Sequence, residues 1–221
     1  MECKYCRKQC IKKGIRNDIQ KYQCKYCKKY QQAVYKRHRI KRWKHKWVSN
    51  LSNENTGISS IGRLLKISKT SVLRLLKQSK EKINKPIFEE TNQSYEIDEL
   101  RTYCGNKAKE IWIIYAINRK TKKIIDFFVG RRTKENVKKV VDTILDLSPK
   151  HIYSDKLNIY RTLISKKAHK NYPRCTNHIE RMNLTIRTQL KPLSRRTIGF
   201  TRSAEMLHCK FYLWAWQQNQ Y

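Results

Sequence analysis

Two sets of residues in this chain of 221 amino acids have the types and spacing for metal chemistry. The first is Cys3-x2-Cys6 and Cys24-x2-Cys27, two CxxC turns with 17 residues between them. Each turn aims two sulfurs at one point, and the pair gathers four thiolates tetrahedrally around a zinc ion. Cys10 is an extra thiol that competes as a ligand. The second set is acidic, in a chain with 51 Lys and Arg against 17 Asp and Glu. Asp98 lies inside Tyr95-Glu-Ile-Asp-Glu-Leu100, Asp155 ends His151-Ile-Tyr-Ser-Asp155, and Glu180 lies within Asn177-His-Ile-Glu-Arg-Met-Asn183. Carboxylates brought close repel unless cations sit between them, so such a group makes physical sense as a divalent-metal site, for Mg2+ or Mn2+.

The elements that must position these side chains are legible in the pattern. Pro86 to Ser94 is a polar stretch opened by a helix breaker, and marks a linker over 86–94. Beyond it, Tyr95–Tyr103, Glu110–Asn118 and Lys123–Gly130 read as three strands of a meander. Thr133 is an N-cap for a helix through Leu147, with Val137, Val140, Val141, Ile144 and Leu145 on one stripe. A strand, His151–Asp155, follows, and then helical segments near 157–166, 177–190 and 202–217. This strand-strand-strand-helix-strand order is that of an RNase H-like domain, whose first and fourth strands lie side by side at about 4.8 Å. Asp98 and Asp155 are thereby brought together. Glu99 leaves the first position ambiguous by one residue, and strand alternation implies that Asp98 and Glu99 cannot both point at the same metals. Spacing leaves Glu180 open between a third ligand and the partner of Asn177 in a capping box.

Charge is distributed unevenly. Residues 1–90 carry 25 basic and 6 acidic side chains, residues 91–160 carry 14 and 9, and residues 161–221 carry 12 and 2. A net charge of +34 favours a polyanionic partner and argues against an ordinary metabolic enzyme. The 39% hydrophobic content excludes a disordered basic tail. Gly57–Gln78 holds two short apolar-periodic helices, lined by Ile58, Ile61 and Leu65 and by Val72, Leu75 and Leu76, with Ser68 capping the second. That helix-turn-helix leaves Lys69, Thr70, Ser71 and Arg74 outward, where a major groove would meet them. Around Tyr35–Trp47, Trp43 and Trp47 share a helical face amid cations; the expected role is packing beneath the ribbon, base stacking the minority one. No apolar run reaches the roughly 20 residues of a membrane span. The N-terminus lacks a secretory pattern, so the expected location is the cytoplasm, at the nucleoid. The expected architecture is α/β: a zinc ribbon (1–34), a helical helix-turn-helix region (35–85), the linker, and an RNase H-like catalytic domain with a mixed sheet (95–221).

These parts together resemble a transposase of the insertion-sequence-one family. The resemblance rests on Tyr22-Gln-Cys-Lys-Tyr-Cys27, the helix-turn-helix, Asp98-Glu-Leu with Tyr103, Tyr115-Ala116 and Ser154-Asp155. Most specific are Asn177-His-Ile-Glu-Arg-Met-Asn-Leu-Thr-Ile-Arg187 and Leu193-Ser-Arg-Arg-Thr-Ile-Gly-Phe-Thr-Arg-Ser203. It implies a DDE recombinase with Asp98, Asp155 and Glu180 as metal-binding catalytic residues, and it favours Asp98 over Glu99. Arg181, Asn183 and Arg187 would hold phosphate or orient Glu180, with Arg195 and Arg196 also facing DNA. Double-stranded DNA is then the partner, and pairing two element ends implies a homodimer or larger assembly. Two features depart from the family. Ribbon and catalytic domain are one continuous chain rather than two overlapping frames, and Lys156 follows the second Asp where many relatives have Gly. The alternatives are a non-catalytic DNA-binding regulator and a metal-dependent nuclease that cuts without joining.

Overall fold

A computed structural model describes residues 1–16, 18–34, 40–195 and 199–219. They form two compact units, Met1–Lys41 and Arg42–Tyr221. In the first, strands β1 (Cys10–Arg16), β2 (Ile19–Cys24) and β3 (Tyr30–Gln32) make an antiparallel sheet in that order. Each CxxC turn abuts a strand end: Cys24 closes β2 and pairs with Cys10 at the start of β1. Of the basic aromatic stretch Tyr35–Trp47, residues 35–39 lie outside the described residues.

The second unit opens with helices α1 (Arg42–Asn53), α2 (Ile58–Leu65) and α3 (Lys69–Glu81). The α2–α3 corner turns as its sequence dictates. Lys66 adopts a left-handed conformation (φ 49°), and the Ser68 hydroxyl accepts from the Ser71 amide at 3.1 Å. Gly62 is required by packing, because a Cβ there would meet the Ile67 carbonyl oxygen at 2.9 Å. Ile61, Leu65, Val72, Leu75 and Leu76 are buried, as their periodicity predicts. Trp43 and Trp47 are 52% and 51% exposed on α1.

The sheet of this unit comprises β4 (Ser94–Cys104), β5 (Asn106–Asn118), β6 (Ile124–Gly130), β7 (His151–Tyr153) and β8 (His169–Lys170), in the order β6-β5-β4-β7-β8. The first three form the expected antiparallel meander, with Gly105 at positive φ (81°) in its first turn. β7 pairs parallel to β4, and β8 parallel to β7, so the sheet is mixed. Helix α4 (Lys134–Leu145) precedes β7, α5 (Asn158–Leu163) follows it, and α6 (Asn177–Gln189) and α7 (Ala204–Gln218) complete the unit. Thr133 caps α4 through the Asn136 amide. That helix ends at Leu145, which is 38% exposed instead of continuing the buried stripe, because the chain already turns toward Ser148 at φ 48°.

The two sheet faces bury separate cores. Leu100, Ile113, Tyr115 and Ile117 pack with Ile179, Ile186, Phe211 and Trp214 of α6 and α7. Tyr95, Ile97, Ile114 and Ala116 pack with Val137, Val141, Ile144 and Tyr160 of α4 and α5. Alternation along β4 therefore sends even-numbered side chains to the α6 face and odd-numbered ones to the α4 face. The α1–α3 helices are tied to α7: Asn53 Nδ2 donates to Gln217 Oε1 at 2.7 Å, and the Tyr212 hydroxyl donates to the Ile83 carbonyl at 2.8 Å.

Candidate active site

β7 pairs with β4 only from Ser94↔His151 to Glu96↔Tyr153, so it stops just short of Asp98. Asp155 lies two residues past its end, in a turn held by two contacts. The buried Ser154 hydroxyl meets His169 Nε2 at 2.7 Å, and the Leu157 amide donates to Asp155 Oδ1 at 2.9 Å. One carboxylate oxygen each from Asp98, Glu99 and Asp155 lies within 4.8 Å of the others. The inclusion of Glu99 corrects the expectation from strand alternation. Asp98 and Glu99 do leave opposite faces of β4, but with β7 ended that edge of the strand is open, and both side chains reach round it.

Each carboxylate is held by uncharged donors. Asp98 Oδ2 accepts from Asn183 Nδ2 at 2.6 Å and Oδ1 from the Glu99 amide at 2.8 Å. Asn183 is itself oriented by the Tyr115 hydroxyl, which donates to its Oδ1 at 2.8 Å. The Tyr160 hydroxyl donates to Glu99 Oε1 at 2.7 Å. Burial raises the Asp98 carboxyl above the ordinary aspartate range, opposed by those hydrogen bonds and reinforced by Asp155 and Glu180. Burial pushes Glu99 up to about 7 against the Tyr160 hydrogen bond, with the charges of Asp155 and Asp98 adding to it. Acids that resist ionisation because of burial, reinforced by one another, form an all-oxygen donor set suited to a hard divalent cation.

Glu180 stands one helical turn before Asn183 on α6, exposed, its Oε1 accepting from the Thr176 hydroxyl at 3.1 Å. In this rotamer it lies outside the three-carboxylate cluster, though its charge reaches Asp98. What fixes the start of α6 is Glu96, a fully buried carboxylate two residues before Asp98 on the same face. Its Oε2 accepts from the Ile179 amide at 2.8 Å, while Oε1 lies 2.6 Å from His178 Nδ1 and 3.2 Å from Arg119 Nε. Glu96 thus supplies from a strand the cap that the helix's own side chains do not. We expect Glu96→Ala to destabilise this unit by roughly 2–3 kcal/mol, less than for a dry ion pair because Arg119 and His178 reach water. A smaller loss in Glu96→Gln, which keeps an acceptor for the amide, would show in paired thermal melts.

The IS1 transposase family model matches residues 93–215, a span that includes every residue of this cluster. The chain belongs to the IS1 transposase family. Among curated IS1 relatives, the iso-IS1n InsB protein of Shigella dysenteriae is 35% identical over 111 residues, covering 50% of this chain and 85% of that protein. The IS1 4 InsB protein of Escherichia coli K12 is 29% identical over 111 residues, covering 50% of this chain and 66% of its own length. Two solved structures show weaker likeness. A simian T-cell lymphotropic virus intasome chain has a TM-score of 0.39 at 16% identity, covering 76% of this chain and 66% of its own. An HTLV-2 integrase catalytic core, solved with magnesium, has a TM-score of 0.33 at 13% identity, covering 51% and 95%. As an IS1-family member the protein is an enzyme of the DDE transposase class.

The other candidate residues read from sequence are spread over both units. Cys3, Cys6, Cys24 and Cys27 form one cluster in the first unit, with sulfurs within 4.8 Å of one another. Cys3–Cys27 and Cys6–Cys24 separations of 3.6 and 3.4 Å approach the roughly 3.8 Å edge of a tetrahedron with 2.3 Å metal–sulfur bonds. Burial acts to raise the Cys24 thiol, yet the backbone amides of Cys27 and Tyr26 prevail and hold it at about 6. Cys10 lies outside the cluster and accepts instead from Gln31 Nε2 at 3.4 Å. Lys69, Thr70 and Arg74 are exposed on α3, and Ser71 is half-buried. Arg181 and Arg195 are exposed, Arg187 is half-buried with Nη1 donating to the Leu193 carbonyl, and Arg196 lies outside the described residues. Asn183 faces Asp98 rather than open solvent. No helix among the described residues is long and apolar enough to cross a membrane. Glu96 and Arg119 were not legible as site residues; the one available signal was a second acid two positions before Asp98 in an apolar strand.

Proposed function

We propose that the protein binds the terminal inverted repeats of its own element, cleaves the element ends and joins the freed 3′-hydroxyls to target DNA. The observation that carries this reading is the convergence of Asp98 and Asp155 at the open edge of an RNase H-like sheet, with Glu180 on the adjoining helix. Asp98 and Asp155 would ligate divalent cations, Mg2+ or Mn2+, and Glu180 would complete the set by turning from Thr176. Cations held there supply Lewis-acid charge to the phosphate and ease deprotonation of the attacking oxygen. Asn183 keeps the Asp98 carboxylate aimed, and Tyr115 keeps Asn183 aimed. In the first step water displaces the 3′-oxygen at the element end, leaving a 3′-hydroxyl. In the second, that hydroxyl attacks a target phosphodiester, forming a new P–O bond and releasing the target's own 3′-hydroxyl. Both are displacements at phosphorus, so no covalent link to the protein is needed.

Binding and reading belong, in this proposal, to the four-cysteine unit holding Zn2+ and to the α2–α3 corner, with Lys69, Thr70, Ser71 and Arg74 at the groove. Arg181, Arg187, Arg195 and Arg196 approach backbone phosphate, and at least two protomers are needed to bring two ends together. Purified protein incubated with Mg2+ and a duplex carrying the repeats that flank its gene should both cut and join. Cutting alone would indicate a nuclease, and binding alone a regulator. Asp155→Ala should retain repeat binding and lose both products; a variant that still joins DNA overturns the assignment.

A further inference from the structure

At the end of the sheet where β4 begins, β5 ends and β7 begins, a pocket is lined by Asn92, Arg119, Lys120, Lys122, Lys150 and His178. None of its described lining residues is acidic, and no ion pair among the described residues involves Lys120, Lys122 or Lys150. Glu96, the carboxylate in contact with the lining residues Arg119 and His178, is fully buried and shared between them. One buried carboxylate thus anchors Arg119 and His178 and its charge reaches Lys122, while Lys120 and Lys150 have no ion-pair partner among the described residues.

The walls are built rather than draped. The turn after β5 is locked by Asn118 Oδ1, which accepts from the amides of Lys120 at 2.8 Å and Thr121 at 3.0 Å. Lys122 closes that turn in a left-handed conformation (φ 61°), its amide donating to the Asn118 carbonyl at 2.8 Å. Backbone bonds join the pieces: the Arg119 amide to the Ser94 carbonyl and the Lys150 amide to the Gln93 carbonyl, both at 2.8 Å. Arg119 lies over the Tyr153 ring, 4.0 Å from its centroid, which fixes the guanidinium plane. Four cationic side chains therefore project from two chain segments, the turn at 119–122 and Lys150, each tied by backbone to the segment at 93–94, a preorganised site for an extended anion.

Its position says which anion. His178 and Arg119 both contact Glu96, which shares a face of β4 with Asp98 two residues on. From Ser94, at the pocket, to Asp98 is four residues, about 13 Å of strand. Neighbouring phosphates of a B-form strand lie about 7 Å apart, twice the axial rise because the backbone winds round the axis, so a duplex with its scissile phosphate at Asp98 and its strand following β4 would bring a phosphate about two steps away over the pocket. We propose that this pocket is a second DNA-binding site, which holds the substrate backbone about two phosphates from the cleaved bond and fixes the register of the strand in the active site. The proposal rests on the transposase reading for its ligand, DNA, and for the place of the scissile phosphate at Asp98.

The test is a binding measurement on the full chain without divalent metal, so that its outcome does not depend on catalysis. Affinity for an element-end duplex is measured across salt for wild type, K120E/K150E, and a control reversal on the exposed face of α4, K134E/K138E. A milder K120Q/K150Q pair guards against misfolding. The pocket reversal should weaken binding about tenfold and reduce the salt slope by about two, with the Gln pair intermediate and the α4 control closer to wild type. Neutral methylphosphonates are then walked along the duplex one phosphate at a time. Substitution about two steps from the scissile bond should weaken wild type and have no further effect in K120E/K150E. If both proteins respond alike at every position, or if K134E/K138E loses as much as K120E/K150E, the pocket is not a site. Loss of joining with the interference pattern intact would count against the catalytic assignment and leave the pocket standing.

Discussion

Asp98→Asn should lower both cutting and joining by three orders of magnitude or more, about 4 kcal/mol of transition-state stabilisation, while repeat binding stays within about twofold. It should also leave the metal-free protein at least as stable as wild type. Asp98 is raised by burial and by neighbouring acids, and Glu99 stands at about 7 against an ordinary 4.5. In the unfolded chain these groups release their protons at lower pH than in the fold. As pH rises from about 4.5 to about 7, the folded state therefore binds more protons than the unfolded one and loses stability, by roughly 3 kcal/mol for Glu99 alone. The sign is opposite to that of a salt-bridged acid. Urea melts in EDTA should show this decline, Mg2+ should reverse it at pH 7.5, and Asp98→Asn should blunt it. Stability that instead rises over this window would mean that the carboxylates are structurally paired and do not await a cation.

How much of this site could be read from sequence depended on whether the information was local. Strand alternation and turn residues placed the meander, α4 and β7, and so Asp98 and Asp155, because each depends on a few neighbouring side chains. The Ser68 and Thr133 caps were legible for the same reason. What escaped is set by lengths and edges. β7 ends at Tyr153, and this lets Glu99 reach round to the face from which alternation excludes it. The role of Glu96 depends on the Ile179 amide, 83 residues away, and no local pattern encodes that partner. Asn183 was expected at phosphate or Glu180; its link to Asp98 spans 85 residues and follows from how α6 lies on the sheet. Trp43 and Trp47 share a face as their spacing predicts, but spacing does not say what, if anything, covers that face.

Removing metal from the four-cysteine unit should unfold it, and the reason lies in what is buried there. Among the described residues of Met1–Lys41, only Cys3, Cys24 and Gln31 are buried. Its larger apolar side chains face outward: Tyr5 is 60% exposed, Ile15 72%, Tyr26 75% and Val34 63%. Gln31 braces one thiol turn, accepting from the Lys4 amide at 2.9 Å and donating to the Glu2 carbonyl at 2.7 Å, but one amide does not make a core. A three-stranded sheet this small has too little apolar burial to offset the entropy of ordering its chain. Structural zinc contributes about 10–16 kcal/mol in such modules, far more than those hydrogen bonds. A strong chelator should therefore release one zinc per chain by elemental analysis and collapse the amide dispersion of residues 1–34. It should leave the melt of the second unit, with its two apolar cores, unchanged. Cys24→Ser should do the same without chelator, whereas Cys10→Ser, outside the cluster, should retain the metal. Retained dispersion in a protein shown to be free of zinc would place the stability of this unit elsewhere.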